Sequence, residues 1–162
     1  LRQAPPLNLK LVDWLKAHPE RGSYSTPGAG TLPHFFAVLF GRQAGLDLRH
    51  VSYRGASAAP NDLLTGQVPL VFANTGELIE LHRAGRIRIL ATSNMSRLAL
   101  LPAVPTFQEV GYPIAGAGWH GVFASQGTPS ASLDQINRLI TTALQKEKVR
   151  ERVVASSATT LS

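Results

Sequence analysis

Between residues 48 and 93 the chain changes hydrophobic period several times within a short span. LRHVSY (48–53) reads as a strand and APNDLLTG (59–66) as a short helix. VPLVFA (68–73) is almost continuously apolar, as a strand buried on both faces requires. TGELIELHRAG (75–85) has helical spacing and a closing glycine, and IRILATS (87–93) reads as a strand again. The same form occurs upstream, with a short strand around Ser23–Ser25, a glycine-bearing loop, and a helix from about Leu32 to Gly41. Strands alternating with helices at this spacing are joined by β-α crossovers. The fold class is therefore α/β, a mostly parallel sheet flanked by helices.

The flanking segments are less regular. Residues 1–7 carry two prolines and read as a linker. Asn8 suits a helix N-cap, Leu11, Val12, Trp14 and Leu15 form one apolar face, and His18-Pro19 ends the helix. Beyond Ser93, three prolines mark a long connection with a short helix near Phe107–Val110. GWHGVFAS (118–125) reads as a strand. The next helix places Leu133, Ile136, Leu139, Ile140, Ala143 and Leu144 on one face, and a last helix covers about Lys146–Ala155.

In open parallel sheets ligands sit at the carboxyl ends of the strands. That rule selects the loops at 25–31, 54–58, 73–75 and 93–97, where Ser25, Thr26, Thr31, Arg54, Ser57, Asn74, Thr75 and Asn94 offer hydroxyls, amides and one guanidinium, with no carboxylate. The most distinctive is YSTPGAGTLPH (24–34), a glycine-rich turn that opens a helix. Such a turn leaves backbone N–H groups pointing outward at the positive end of the helix dipole, where they attract an anion. It is no P-loop, because Thr31-Leu32 stands where Lys and a hydroxyl residue are needed, and Pro33 breaks the GxGxxG pattern. Two readings stay open: a cradle for a small anion such as a carboxylate, or a turn whose glycines serve only the backbone.

Composition narrows the partners. The 162 residues are 44% hydrophobic with a net charge of +6, which favours anionic partners. The basic residues are scattered and not interleaved with aromatics, so nucleic acid is not expected. The chain has no cysteine, which excludes a disulfide frame, a zinc-thiolate site and a thiol nucleophile. No apolar run approaches the roughly 20 residues that span a membrane, so no membrane insertion is expected. His18, His34, His50, His82 and His120 show no metal-binding spacing, and each reads as structural or surface. His34 is the exception, since it follows the glycine loop within one helical turn. Glu77 and Glu80 read as a solvated helix face. No catalytic elbow is present, and no cofactor is called for.

Several segments together carry a resemblance: SYSTPGAGTLPHF (23–35), HVSYRG (50–55), DLLTGQVPLVFAN (62–74), RAGRIRILATS (83–93), LPAVPTFQEVGY (101–112), GWHGVF (118–123) and QGTPSASLDQIN (126–137). In this order, over about residues 8–155, the chain resembles the Bug-type, or tripartite tricarboxylate transporter, extracytoplasmic solute-binding proteins. The resemblance implies a periplasmic binding protein type II-like fold whose two lobes close on a small carboxylate. It implies no enzymatic activity, a periplasmic location, and the membrane subunits of a transporter as partners. Carried over position by position, the ligand-binding residues are Thr26, Gly28, Ala29, Gly30, Thr31, His34, Arg54 and Asn74. Two positions depart from the family pattern, Ala73 and Pro69, each standing where the family has an aspartate.

The resemblance also divides the chain. Residues 1–21 are expected to be linker and a helix from the first lobe or crossover, 22–116 the second, ligand-binding lobe, and 117–162 elements returning to a first lobe that is incomplete here. The apolar surfaces of that last segment then need cover, and a swapped or non-native dimer is one way to supply it. Two other functions stay open: an enzyme acting on a small organic acid with the glycine loop as an oxyanion site, or a non-binding piece with a structural or regulatory role.

Overall fold

The computed structural model describes residues 9–53, 58–118 and 121–155. The chain divides between Ala117 and Gly118 into two compact units. The first begins with helix α1 (Leu9–Ala17), which buries Val12 and Leu15 and ends at a 3-10 turn over Pro19–Arg21. Asn8, the expected cap of α1, lies outside the described residues. Strand β1 (Ser23–Thr26) then enters the core with all four residues buried. It is the centre of a three-stranded parallel sheet, between β2 (Arg49–Ser52) and β3 (Leu70–Val71). The register aligns Tyr24 with His50 on one side and with Leu70 on the other. Pairing extends past the strand ends, where the Arg49 amide donates to the Gly22 carbonyl at 2.7 Å and the Phe72 amide to the Ser25 carbonyl at 2.9 Å. Helices α2 (Leu32–Ala44) and α3 (Ala58–Thr65) make the crossovers, and α4 (Thr75–Arg83) follows β3.

Helix α2 runs past Gly41, where the sequence suggested its end. Gly41 stays helical because a side chain there would lie 3.3 Å from the Leu46 carbonyl oxygen and against Leu48, so its bare Cα admits the returning chain. The helix ends instead at Gly45, whose φ of 63° is the left-handed conformation that glycine takes without penalty. One face of α2 buries Ala37, Phe40, Gly41 and Ala44. Phe40 is 1% exposed and meets Tyr112 edge-on at 5.1 Å, with Phe72 and Phe107 at about 6 Å. Val12, Ala44, Phe107 and Ile114 complete this core, and Leu90 and Ala91 pack against it.

Three expectations are corrected. The segment at 87–93 forms no strand; it reduces to a single bridge between Thr92 and Thr106. Its next partner residue is Pro105, which accepts from the Thr92 amide at 3.0 Å but has no N–H to return, so the ladder stops. The stretch at Phe107–Val110 is a turn rather than a helix. Thr106 and Glu109 cap it reciprocally, the Thr106 amide donating to Glu109 and the Glu109 amide to the Thr106 hydroxyl. Strand β3 is two residues long and only half-buried, so the apolar run 68–73 is not a strand covered on both faces.

The second unit holds α5 (Ser130–Gln145) and α6 (Glu147–Ala155), which pack on each other across an extended Lys146. Leu133, Ile136 and Leu139 of α5 are exposed. The described positions of 118–125 are irregular, not a strand, because no described strand of this unit runs beside them to complete a ladder. Val122 and Phe123 are exposed there.

Truncating Phe40 removes the side chain on which Phe72, Phe107 and Tyr112 converge. Phe40→Ala is expected to lower unfolding free energy by about 3–5 kcal/mol, read as a lower urea midpoint at unchanged slope. A loss below about 1 kcal/mol would mean that this cluster is not the core.

Candidate anion site at the carboxyl end of the sheet

The glycine loop leaves the buried end of β1. Two threonine hydroxyls shape it. Thr26 Oγ1 donates to the Gly28 carbonyl at 3.0 Å, and Thr31 Oγ1 donates to the same oxygen at 2.7 Å. A carbonyl has two acceptor positions, and both are filled. Thr31 holds the N-cap position of α2, with extended backbone, but its hydroxyl turns back into the loop and caps no amide. Gly30 has a φ of 75°, which reverses the chain into the helix. Pro33 sits in the first helical turn, where its missing N–H costs nothing.

The amides are left over. Among the described residues, the N–H groups of Gly28, Ala29, Thr31 and Leu32 meet no acceptor. The Gly30 amide donates to His34 Nδ1 at 3.3 Å. Ala29 and Leu32 are exposed, and Gly28 and Thr31 are half-buried. Unpartnered backbone donors at a helix N-terminus are the kind of group that accepts an anion.

Behind the loop the fold assembles a pair of histidines that the sequence spacing did not reveal. Parallel register places His50 of β2 beside Tyr24 of β1, and α2 returns His34 over the same strand. The imidazole centroids are 4.3 Å apart, tilted by 41°. His50 Nε2 lies 2.8 Å from Thr26 Oγ1. The Thr26 hydroxyl gives its only proton to Gly28, so Nε2 of His50 carries a hydrogen and donates to Thr26. Burial holds the His50 imidazole below the ordinary histidine range, and the neighbouring His34 pushes it the same way. Tyr24 closes the group, its phenol pushed up by burial.

The other expected site residues are placed less tightly. Asn74 follows β3 at the same end of the sheet and is the N-cap of α4. Its Nδ2 donates to Glu77 Oε1 at 2.9 Å. Glu77 is thus no solvated helix face; Oε2 is buried and has no partner. Glu80 is exposed and pairs with Arg83. Arg54 lies outside the described residues. Its neighbour Tyr53 donates its hydroxyl to the Asp62 carboxylate of α3, which ties the end of β2 to that helix. Ser25 points to the opposite face of the sheet from Tyr24 and Thr26, and its hydroxyl is buried without a partner, so it does not join the edge. Ser93 is bound to Gly116 through both its carbonyl and its hydroxyl. The edge is built from three strands, not four. Among the described residues, no group of His, Asp and Glu could hold a metal ion, and no helix is long and apolar enough to cross a membrane.

The pattern of the family described as "Tripartite tricarboxylate transporter family receptor" matches residues 3–158. Protein BugT of Bordetella pertussis (strain Tohama I) is 34% identical over 160 residues, which cover 96% of this chain and 49% of BugT. Among solved structures, one described as a periplasmic transporter superposes with a TM-score of 0.86 at 28% identity, covering 99% of this chain and 54% of the other. R. palustris Rpa4515 with adipate superposes with a TM-score of 0.83 at 27% identity, covering 94% and 52%. The chain spans about half the length of each of these proteins.

Two outcomes test the site geometry. Thr26→Val leaves His50 Nε2–H and one Gly28 lone pair without partners, and is expected to cost about 1–3 kcal/mol in urea unfolding. The depressed His50 value means that the unfolded chain binds more protons just below the ordinary histidine range. Stability therefore falls as pH drops through that window. Between about pH 7 and about pH 5, wild type is expected to lose more stability than His50→Gln. Equal slopes for the two would show that His50 is not held neutral by the fold.

Proposed function

The chain belongs to the tripartite tricarboxylate transporter receptor family, and we propose that it supplies the glycine-loop lobe of a periplasmic solute-binding protein. That protein captures a small carboxylate and delivers it to the membrane subunits of a tripartite transporter. The observation that carries this reading is the set of acceptor-free amides at Gly28, Ala29, Thr31 and Leu32, at the start of α2. A carboxylate is the ligand that such a row suits, because its two oxygens accept several N–H donors at once and its charge sits at the positive end of the helix. The adipate held by Rpa4515 agrees with that class. Thr26, Thr31 and His34 shape the row, and Asn74 follows β3 at the same edge.

The state of the described hydroxyls supports capture without chemistry. Among the described residues, Thr26 is the hydroxyl within reach of an imidazole, and it is 0% exposed, with its proton given to Gly28 and its lone pair taken by His50. It has neither access to a substrate nor a base to accept its proton. The ligand class is further shaped by Ala73, which follows β3 where the family pattern has an aspartate. Without that carboxylate the loop offers less to a ligand amine, which favours a plain carboxylic acid over an amino acid.

The test is a thermal-shift panel of mono-, di- and tricarboxylates, with glutamate and aspartate included. At a hundred times the dissociation constant a bound acid stabilises the fold by about 2.7 kcal/mol. A rise in melting temperature is expected with at least one plain acid and no rise with it for Gly30→Val. That variant meets no atoms within 4 Å of its Cβ but cannot hold the loop's φ of 75° without strain. No shift with any acid overturns the reading.

A further inference from the structure

In the glycine loop four amides have no acceptor among the described residues, and the fifth, on Gly30, donates to His34 Nδ1 at 3.3 Å. In that contact Nδ1 is the acceptor, and a nitrogen that accepts from an amide uses its lone pair. A carboxylate that settles on the loop competes for the same Gly30 amide. Once it takes that amide, the Nδ1 lone pair is free and faces an anion.

We propose that His34 is the residue that reads the ligand's charge: a bound carboxylate displaces it from the Gly30 amide, and His34 then takes one proton from solvent at Nδ1. This rests on the capture reading above and adds regulation of the same site. The step balances simply. One amide hydrogen bond moves from imidazole to carboxylate oxygen, one proton moves from water or buffer to His34, and the resulting imidazolium lies beside the anion. A neutral amide or ester analogue takes the Gly30 amide but supplies no charge to hold that proton, so it binds more weakly.

The surroundings assign the proton to His34 and not to its neighbour. His50 spends its Nε2 hydrogen on Thr26 and is held neutral by burial, with charge on His34 pushing it further the same way. Tyr24 of β1 is the other titratable group in contact with the pair, and burial keeps its phenol protonated. The remaining ring against His34 is Phe35, on its own helix, and β3 contributes Phe72 against Tyr24. Among the described residues, neither imidazole bonds to a carboxylate, and the charge that bears on His50 is that of His34. A carboxylate that would already balance a protonated pair is thus not in place, and the ligand supplies it.

The sign follows from linkage. Binding raises the proton affinity of His34, so the gain in ligand affinity is full at lower pH and is lost as pH rises through the bound-state value. Titration calorimetry of the full chain with adipate and succinate, dianions from about pH 7 to about pH 8.5, reads the coupling directly. Running it in HEPES and in Tris, whose ionisation heats differ, gives the protons taken up. Up to one proton is expected per ligand in wild type, with affinity weakening by as much as about tenfold per pH unit. His34→Gln, which can still accept from Gly30 but cannot titrate, is expected to bind without uptake and without the pH slope. Binding to wild type with no proton uptake overturns the proposal while leaving carboxylate capture intact, as does equal uptake in His34→Gln. If neither acid binds at any pH, capture and coupling fall together. Should His34→Gln bind nothing, nitrogen NMR of the wild-type imidazoles decides: Nδ1 protonated only with adipate present supports the proposal, and Nδ1 unprotonated in the complex overturns it.

Discussion

Strand β1 carries hydrogen bonds on both edges, and each described crossover of the first unit answers to it. Its four residues are buried, and all four bear hydroxyls. A buried strand cannot turn to water for its amide and carbonyl partners, so β2 and β3 must lie in register on either side. That register puts His50 against Tyr24 and delivers the ends of β1, β2 and β3 to one edge. The glycine loop inherits its orientation from this arrangement. Thr26 is the last residue of the strand, and its hydroxyl is the first of the two that bind the Gly28 carbonyl.

The chemistry of the edge follows from who gives protons to whom. Thr26 and Thr31 both donate to one carbonyl, so the loop turns its acceptor inward and its donors outward. His50 donates to Thr26, and His34 accepts from Gly30. The result is a ring of donors with little built-in negative charge to compete for them. The carboxylates at this end are engaged, Glu77 with Asn74 through one oxygen and Asp62 with the Tyr53 hydroxyl. A helix N-terminus is a modest electrostatic asset when exposed. Five amides gathered at one turn make the asset larger and give it direction.

The general plan was legible in the sequence, because helices and strands differ in the period of their apolar residues. The α/β class, the parallel sheet and the placing of the glycine loop at the head of α2 all followed from pattern. The misplacements share one cause: pattern reports what a segment prefers and not what its neighbours offer. Gly41 looked like a helix stop, yet the close approach of Leu46 and Leu48 made it a helix interior. IRILATS has strand chemistry and half-buries its apolar residues, yet Pro105 across from it denies the ladder a donor. GWHGVFAS has the same chemistry and no described strand beside it in its unit.

The candidate site divides in the same way. The glycines, the threonines and the position of His34 one turn into a helix are local features, and local sterics and hydrogen bonding let the sequence by itself determine that a donor-rich turn stands there. His50 is sixteen residues from His34 and unremarkable in its own context. Only the tertiary structure decided that the two imidazoles meet, because parallel register, which no single segment encodes, sets His50 beside Tyr24 and folds α2 back over both. The same register decided which carbonyl the hydroxyls reach and therefore which amides remain free, since a donor's partner across a sheet is fixed by the strand that pairs with it.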